Sequence, residues 1–588
     1  MKRHSRSVNP SPLLQTSFAK NLPHLSFFRF ALFPSICWWL LLCLGQLFVK
    51  PSLYPDPAPG LLAALQYIHG ISPSLREVFV ADLAHGGQLR STQITWWPPS
   101  YQFLPWLLMK YFSLNIGEAV GLTIRLCLLA GMCGWYLYYA KILGPIPALL
   151  TCTLVSTWRF FHHNLFFYDG GELLLFAAAP WVLLLLVSAI QGGSTPRLAF
   201  AGIFSAVLFV LKYSAAVFSL AFSISASLCI LQKKNHRRWL KALIPVICCG
   251  LTLLVFSRTL CAGGATPATP GQRDGWNAIG VLWHWLSWPL NFGDLDAFCR
   301  RILLNDASTE ADLLRLAFPA GVVLAAVLLL VPSLLQKTHW ANFTQRFYLL
   351  AAVFSLVATL LLVSTVGVLG GALSWESRYY RIPVLMLLPF FLNAIATCLA
   401  SRSTKKICAT LPALCLFTLG SLYGIAAFTT KAASQLLEKN FQNTLWRDLS
   451  LPVVDRTTPV AEIINKVHQH LQNHPSHILV VGDVRMALPF ADKPITIWHP
   501  TLLLDTPPTD AMLSITPVVL VNTKAQRAQP SLETLQTHPY WQPANIIHLT
   551  DNWRLIPMCP RPPHSQNSRR SVCCWTTRCC HSGHYQSY

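Results

Sequence analysis

Long apolar runs separated by short polar stretches dominate the first 430 residues. Runs of the length a bilayer requires of a helix, roughly 17–25 residues, lie near 31–49, 119–140, 145–161, 172–190, 242–257, 316–334, 347–366, 382–400 and 407–428. The stretch 197–231 reads as two shorter helices broken at Lys212, which predicts about eleven spans in all. After Thr430 the pattern changes. Short apolar runs alternate with His, Gln, Asn and Pro, and predict a helix over 461–471, strands over 478–482 and 517–521, a helix over 532–538, and a strand pair over 546–549 and 553–556. That alternation suits a small α/β domain.

Basic residues fix an expected orientation. They precede the first span (Lys2, Arg3, Arg6, Lys20, Arg29) and recur in alternate loops at Lys141, Arg197, Lys233 to Lys241, Lys337, Arg346, Arg402, Lys405 and Lys406. The positive-inside rule makes that side cytoplasmic, so the loops 50–118, 162–171, 258–315 and 367–381 and the C-terminal part face outward. A bacterial cytoplasmic membrane fits best; an endoplasmic reticulum enzyme with a lumenal site has the same topology. The expected organisation is a cytoplasmic segment 1–30, a transmembrane domain 31–430, an extracytoplasmic α/β domain 431–558, and a Cys-rich tail 559–588 without fixed structure. The polar leader is long, Pro-rich and basic, and no small-residue cleavage pattern follows Val49, so the first helix is expected to stay uncleaved.

Composition agrees. Of 588 residues 53% are hydrophobic and 12% charged, with a mean hydropathy of +0.44, too apolar for a soluble chain of this size. The net charge of +22 follows from the loop bias and suits anionic headgroups; nucleic-acid binding is not needed to explain it. Most of the 18 cysteines are scattered inside apolar runs, where a thiol behaves as a small hydrophobe. Cys261 and Cys299, at the two ends of an outer loop, invite a disulfide reading.

Acidic residues are scarce, which makes those at the outer ends of spans informative. Asp56 lies in the Pro-rich turn Tyr54-Pro55-Asp56-Pro57, ahead of a segment to Gly70 that can lie as an amphipathic helix in the interface. Taken alone, Asp56 is a turn residue. Asp169 and Glu172 stand one helical turn apart at the start of a span, so both can face one cavity, although charge at a helix N-terminus is also stabilising in itself. His162 and His163 lie nearby. Lys212 sits inside an apolar run, where a cation needs water or a partner: a phosphate, a carboxylate such as Asp169, or a snorkelling path to a helix end. Arg378 and Arg381 stand at the mouth of the span beginning near Ile382 and can grip phosphate through paired hydrogen bonds, with Glu376 as an alternative partner for the pair. Asp294-Leu295-Asp296 looks like a metal-binding DxD, but no soluble nucleotide-binding domain accompanies it. Trp276, Trp283, Trp285 and Trp288 in the same loop suit an interfacial helix or a sugar path.

These features in order resemble the GT-C superfamily of membrane glycosyltransferases, the group that includes protein mannosyltransferases and aminoarabinose transferases. The resemblance rests on Asp56 to Gly70 after the first span, Trp97-Pro98-Pro99-Ser100-Tyr101, Tyr168-Asp169-Gly170-Gly171-Glu172, Lys212-Tyr213, and Arg378-Tyr379 before Pro383. It implies a polyprenyl-phosphate-linked sugar as donor, an inverting transfer with Asp56 as the base that deprotonates the acceptor hydroxyl, Asp169 or Glu172 orienting the acceptor or assisting a divalent metal, and Lys212, Arg378 and Arg381 on the donor phosphate. Membrane lipids and the donor are the expected partners. No cofactor is certain, no residue is assigned as a metal ligand, and the acceptor (glycan, lipid or protein) is open. A transporter or flippase, or a non-catalytic assembly factor on the same scaffold, are the alternatives; only one helix break is evident where a transporter with two related halves should show paired ones.

Overall fold

The computed structural model describes residues 25–94, 97–232, 238–261, 278–296, 298–299, 310–334, 342–369, 377–400, 404–451, 457–497, 513–523, 532–538 and 540–561. The expected N-terminal segment up to residue 24, Trp96, Trp276, Glu376 and the tail from 562 lie outside them. The chain divides into two compact units: residues 1–49, 124–166 and 171–434 form the first, and residues 50–123, 167–170 and 435–588 the second.

The chain is mostly helical. Among the described residues seven helices are long and apolar enough to cross a membrane: Ile116–Leu143, Gly171–Gly192, Tyr213–Leu231, Arg238–Leu260, Phe343–Val368, Arg378–Ala400 and Thr410–Leu437. The expected count of eleven is not reached on that criterion. Four of the predicted spans coincide with shorter apolar helices instead, Leu32–Phe48, Pro145–Thr157, Thr195–Leu211 and Leu316–Leu328. The break inside 197–231 falls where the sequence places it. Helix Val207–Leu211 stops at Lys212, whose backbone is extended (φ −159°, ψ 124°), and helix Ala216–Leu231 begins after a short 3-10 turn.

Prolines inside the first unit's helices show how its core is wired. Pro180 cannot donate to the carbonyl of Phe176, four residues back, and Pro389 cannot donate to that of Leu385. Both orphaned carbonyls find side-chain donors on helix Ile116–Leu143. Trp135 Nε1 donates to Phe176 O at 3.0 Å, and Tyr139 Oη donates to Leu385 O at 3.2 Å. Tyr138 adds a bond to Met386 O at 2.9 Å, and its ring lies 4.4 Å from that of Tyr348. All four aromatic residues are fully buried. In an apolar medium an unmet carbonyl is costly, so each pairing both satisfies a proline's partner and sets which helix faces which. Cys261 and Cys299 are not joined by a disulfide.

All strands among the described residues belong to the second unit: β1 (Ser52–Leu53), β2 (Glu77–Asp82), β3 (Gln88–Gln93), β4 (Phe167–Tyr168), β5 (Leu445–Trp446), β6 (Leu449–Ser450), β7 (His477–Val481), β8 (Ile495–Ile497), β9 (Thr516–Asn522), β10 (Trp541–Pro543), β11 (Ile547–His548) and β12 (Trp553–Pro560). The larger sheet runs β10-β12-β9-β7-β8 with β11 beside β12. β7, β8 and β9 are parallel, and β12 is antiparallel to β9. Helix Val460–Asn473, both central strands and helix Leu532–Gln536 correspond to the elements expected from the sequence. β2 and β3 form a hairpin, and β4-β1-β6-β5 a small four-stranded sheet.

The helix after Asp56, Ala58–Ile68, is not an amphipathic surface helix. Ala58 and every residue from Gly60 to Gln66 are buried, because the segment is apolar on all sides. Gln66 is held by Phe79 as an extra strand would be, donating to its carbonyl at 2.8 Å and accepting from its N–H at 2.9 Å. The β5–β6 turn places Arg447 and Asp448 at φ 45° and 59°. Asp448 is fixed there by Lys50 at 2.5 Å and Asn115 at 3.0 Å, and these hydrogen bonds, Lys50 first, hold its carboxyl below the usual aspartate range.

Candidate active site

Within the first unit, several elements surround a cavity of about 310 Å³. Helix Gly171–Gly192 brings Glu172 in its first turn, where a carboxylate also suits the helix dipole. The break at Lys212 releases that side chain from a helical face. A 3-10 turn, Ser377–Tyr380, carries Arg378 and Tyr379, and Arg381 opens helix Arg381–Ala400. Helix Phe343–Val368 adds Thr359, Leu362, Val363 and Val366 to the wall.

Lys212 Nζ forms an ion pair with Glu172 Oε1, and Arg378 Nε lies 3.6 Å from the same oxygen. The side chains of Glu172 and Lys212 are 11% and 12% exposed. Tyr379 sits between the two cations, with Lys212 Nζ 5.3 Å and Arg378 Cζ 5.8 Å from its ring centre. Arg381 Cζ lies 5.4 Å from the Phe160 ring, and its Nε is buried without a hydrogen-bond partner among the described residues. Three cations therefore face one carboxylate. The rest of the lining is largely apolar, including Leu175, Phe176, Val217, Phe218 and Leu385. An anionic group attached to an apolar body fits that combination of cations and largely apolar wall.

Glu172, Lys212, Arg378 and Arg381 are brought together; Asp56 and Asp169 are not among the residues that line the cavity. The partner of Lys212 is Glu172 and not Asp169. The expectation that Asp169 and Glu172 share a helical face fails at Gly170, which adopts φ +75° one residue before the helix begins. That left-handed step suits glycine, and a Cβ there would meet the Tyr101 ring at 2.7 Å. Asp169, 8% exposed, ends β4 instead.

In the second unit, Asp56 and Asp169 follow neighbouring parallel strands. β1 pairs with β4 in the register Ser52↔Phe167 and Leu53↔Tyr168, and Tyr54 N donates to Tyr168 O at 3.1 Å. Both carboxylates thus leave the same end of that sheet. Asp56 lies in the turn that opens helix Ala58–Ile68 and is partly exposed. Tyr168 is anchored by a bond from its hydroxyl to Tyr101 O at 2.5 Å. Arg485, which the sequence did not single out, donates to Leu53 O at 3.1 Å and is held by Asp483 at 2.6 Å. Both carboxylate oxygens of Asp483 accept from this arginine and orient it.

The other candidates do not line that cavity. His162 is buried, its ring 5.8 Å from that of Phe428. Asp294 and Asp296 are buried around Leu295, which packs with Trp283, Leu290 and Leu316. Neither these two nor Asp169 and Glu172 belong to a group of three potential metal ligands among the described residues.

Comparison with known proteins adds a family. Residues 97–261 match the family model described as dolichyl-phosphate-mannose-protein mannosyltransferase. The GT-C resemblance is borne out. The matched stretch makes this part of the chain similar to membrane mannosyltransferases, and its long apolar helices suit a multi-pass membrane protein. The matched stretch contains Asp169, Glu172 and Lys212 and leaves out Asp56, Arg378 and Arg381. No curated protein matches the GT-C-like chain. Solved structures similar to it include ArnT from Cupriavidus metallidurans bound to undecaprenyl phosphate, at 10% identity over 91% of this chain and 98% of that one, with a TM-score of 0.41. The arabinofuranosyltransferase AftD from Mycobacteria is similar at 14% identity over 91% of this chain and 40% of that one, with a TM-score of 0.42. TM-scores this low do not carry the activity of either protein over to this chain.

Proposed function

We propose that this protein transfers a sugar from a polyprenyl-phosphate donor to an acceptor on the outer face of the membrane, with inversion at the anomeric carbon. The observation that supports this most is the cavity in which Lys212, Arg378 and Arg381 gather around Glu172 among largely apolar walls. A lipid phosphate has the matching chemistry, an anion on a hydrocarbon chain. In this reading the three cations hold the donor phosphate and stabilise the charge that grows on it as the glycosidic bond breaks. Glu172 keeps Lys212 and Arg378 in place and yields them when the phosphate arrives. Asp56, on the GT-C resemblance, takes the proton of the acceptor hydroxyl as its oxygen attacks from the side opposite the phosphate. Asp169 orients the acceptor.

Release of polyprenyl phosphate from a panel of polyprenyl-phosphate sugars by purified protein, with Asp56→Asn and Lys212→Met beside the wild type and folding checked by thermal melting, tests this. The expected result is release by wild type, loss of at least about a hundredfold in kcat for folded Asp56→Asn, and a rise in KM for Lys212→Met. Wild-type rates in folded Asp56→Asn would remove Asp56 from the mechanism. Turnover of no donor, with acceptors of all three classes present, would overturn the proposal.

A further inference from the structure

Three histidines of the second unit converge for no reason that sugar transfer supplies. His470 stands in the last turn of helix Val460–Asn473, His474 caps its end, and His477 opens β7. The chain reverses between them in a tight turn, with His474 N bonded to His470 O at 3.1 Å and His477 N to His474 O at 2.9 Å. The three rings crowd together. Their centres are 4.5, 4.7 and 5.0 Å apart, and one ligand nitrogen from each falls within 4.8 Å of the others. All three are partly exposed, so an ion has access.

The tautomers suit a ligand set. His474 Nδ1 lies 3.0 Å from His470 O and donates its proton to that carbonyl, which turns the lone pair of Nε2 outward. A backbone carbonyl on the far nitrogen is the support that metal-bound histidines use. His470 Nε2 and His477 Nδ1 face each other at 2.9 Å. Two imidazoles on one tetrahedral zinc, each at about 2.0–2.1 Å, keep their nitrogens about 3.3 Å apart, so small ring rotations open the gap for an ion.

We propose that His470, His474 and His477 form a binding site for a borderline divalent cation, Zn²⁺ by preference, which pins the end of helix Val460–Asn473 to the start of β7. Imidazole-only donors select Zn²⁺, Cu²⁺ or Ni²⁺ over Mg²⁺ or Ca²⁺, and three protein ligands leave a fourth position for water. The site joins the helix to β7, an inner strand of the larger sheet, so the ion acts as a staple across the turn 474–477.

The test is Zn²⁺ titration of the full-length protein in detergent, its thiols alkylated beforehand so that cysteines do not compete, against a chromogenic chelator. The wild type is compared with His470→Gln, His474→Gln and His477→Gln, and with His468→Gln as a control whose ring packs on Phe490 outside the cluster. The expected result is one tight site in the wild type and the control, weakened at least tenfold in each of the three variants, and a Zn²⁺-dependent rise in Tm that the three variants lose. X-ray absorption of the Zn²⁺ complex should show only nitrogen and oxygen neighbours with imidazole scattering. If one variant melts early without metal, the other two decide. Equal affinity in all five proteins, or no tight site in the wild type, overturns the proposal.

Discussion

Lys212 illustrates how far a single residue can be read. Its cation interrupts an apolar run, and that alone marks it as functional or paired. What the sequence does not hold is the partner, because Glu172 lies 40 positions away and meets it only through the packing of two helices. Removing one member of such a pair leaves a buried charge and costs roughly 3–5 kcal/mol, whereas removing both costs much less. Lys212→Met should therefore lower the Tm in detergent, and Lys212→Met with Glu172→Gln should recover part of the loss. Arg378, 3.6 Å from the same carboxylate, limits the recovery. Additive losses in the double variant would show that the pair is not coupled. The misreading at Asp169 belongs to this scale too. Helical spacing assumes continuous helical backbone, and nothing in Asp169-Gly170-Gly171 announces that Gly170 turns left-handed rather than starting the helix.

Elements were legible where their pattern is long. The break at 212, the seven longest spans and the central strands β7 and β9 all follow from runs of apolar residues bounded by polar ones. The helix Ala58–Ile68 was found but misplaced, since an all-round apolar helix is buried whether lipid or protein covers it. Strands β1 and β4 have two residues each and carry no pattern, so the sheet whose neighbouring strands lead into Asp56 and Asp169 was invisible. Proline wiring was invisible for a related reason: the donor that rescues a proline's orphaned carbonyl sits on another helix. It makes a sharp prediction at this scale. Trp135→Phe strips the donor from Phe176 O and should destabilise by about 1–3 kcal/mol, while Pro180→Ala restores the missing N–H within the helix. Trp135→Phe should thus be better tolerated in the Pro180→Ala background, measured by thermal melting; equal cost in both backgrounds would mean that the indole matters through packing alone.

At the scale of the molecule, loop charge predicts orientation. A reporter active only in the cytoplasm, fused after Gly193, and one active only outside it, fused after Asn473, should both be active. The reverse pattern would place the charged loops outward and move the proposed transfer to the other face. Charge bias suffices for this because it acts on loops one by one. It says nothing of which segments assemble, and composition after Thr430 suggested a domain continuous in sequence, whereas contacts gather 50–123, 167–170 and 435–561 into one unit.

That weaving sets a timetable. Helix Ala58–Ile68 finds helix Ser100–Phe112 and β2 early, but it emerges roughly 400 residues before its remaining partner, the 3-10 turn Val484–Phe490, and at a synthesis rate of roughly 5–20 residues per second that side waits on the order of 20–80 s. β1 lacks its neighbour β6 for the same interval. The protein is thus born with its first loop unfinished, and biogenesis, as much as catalysis, depends on what shelters the open side of that helix until residues 484–490 arrive.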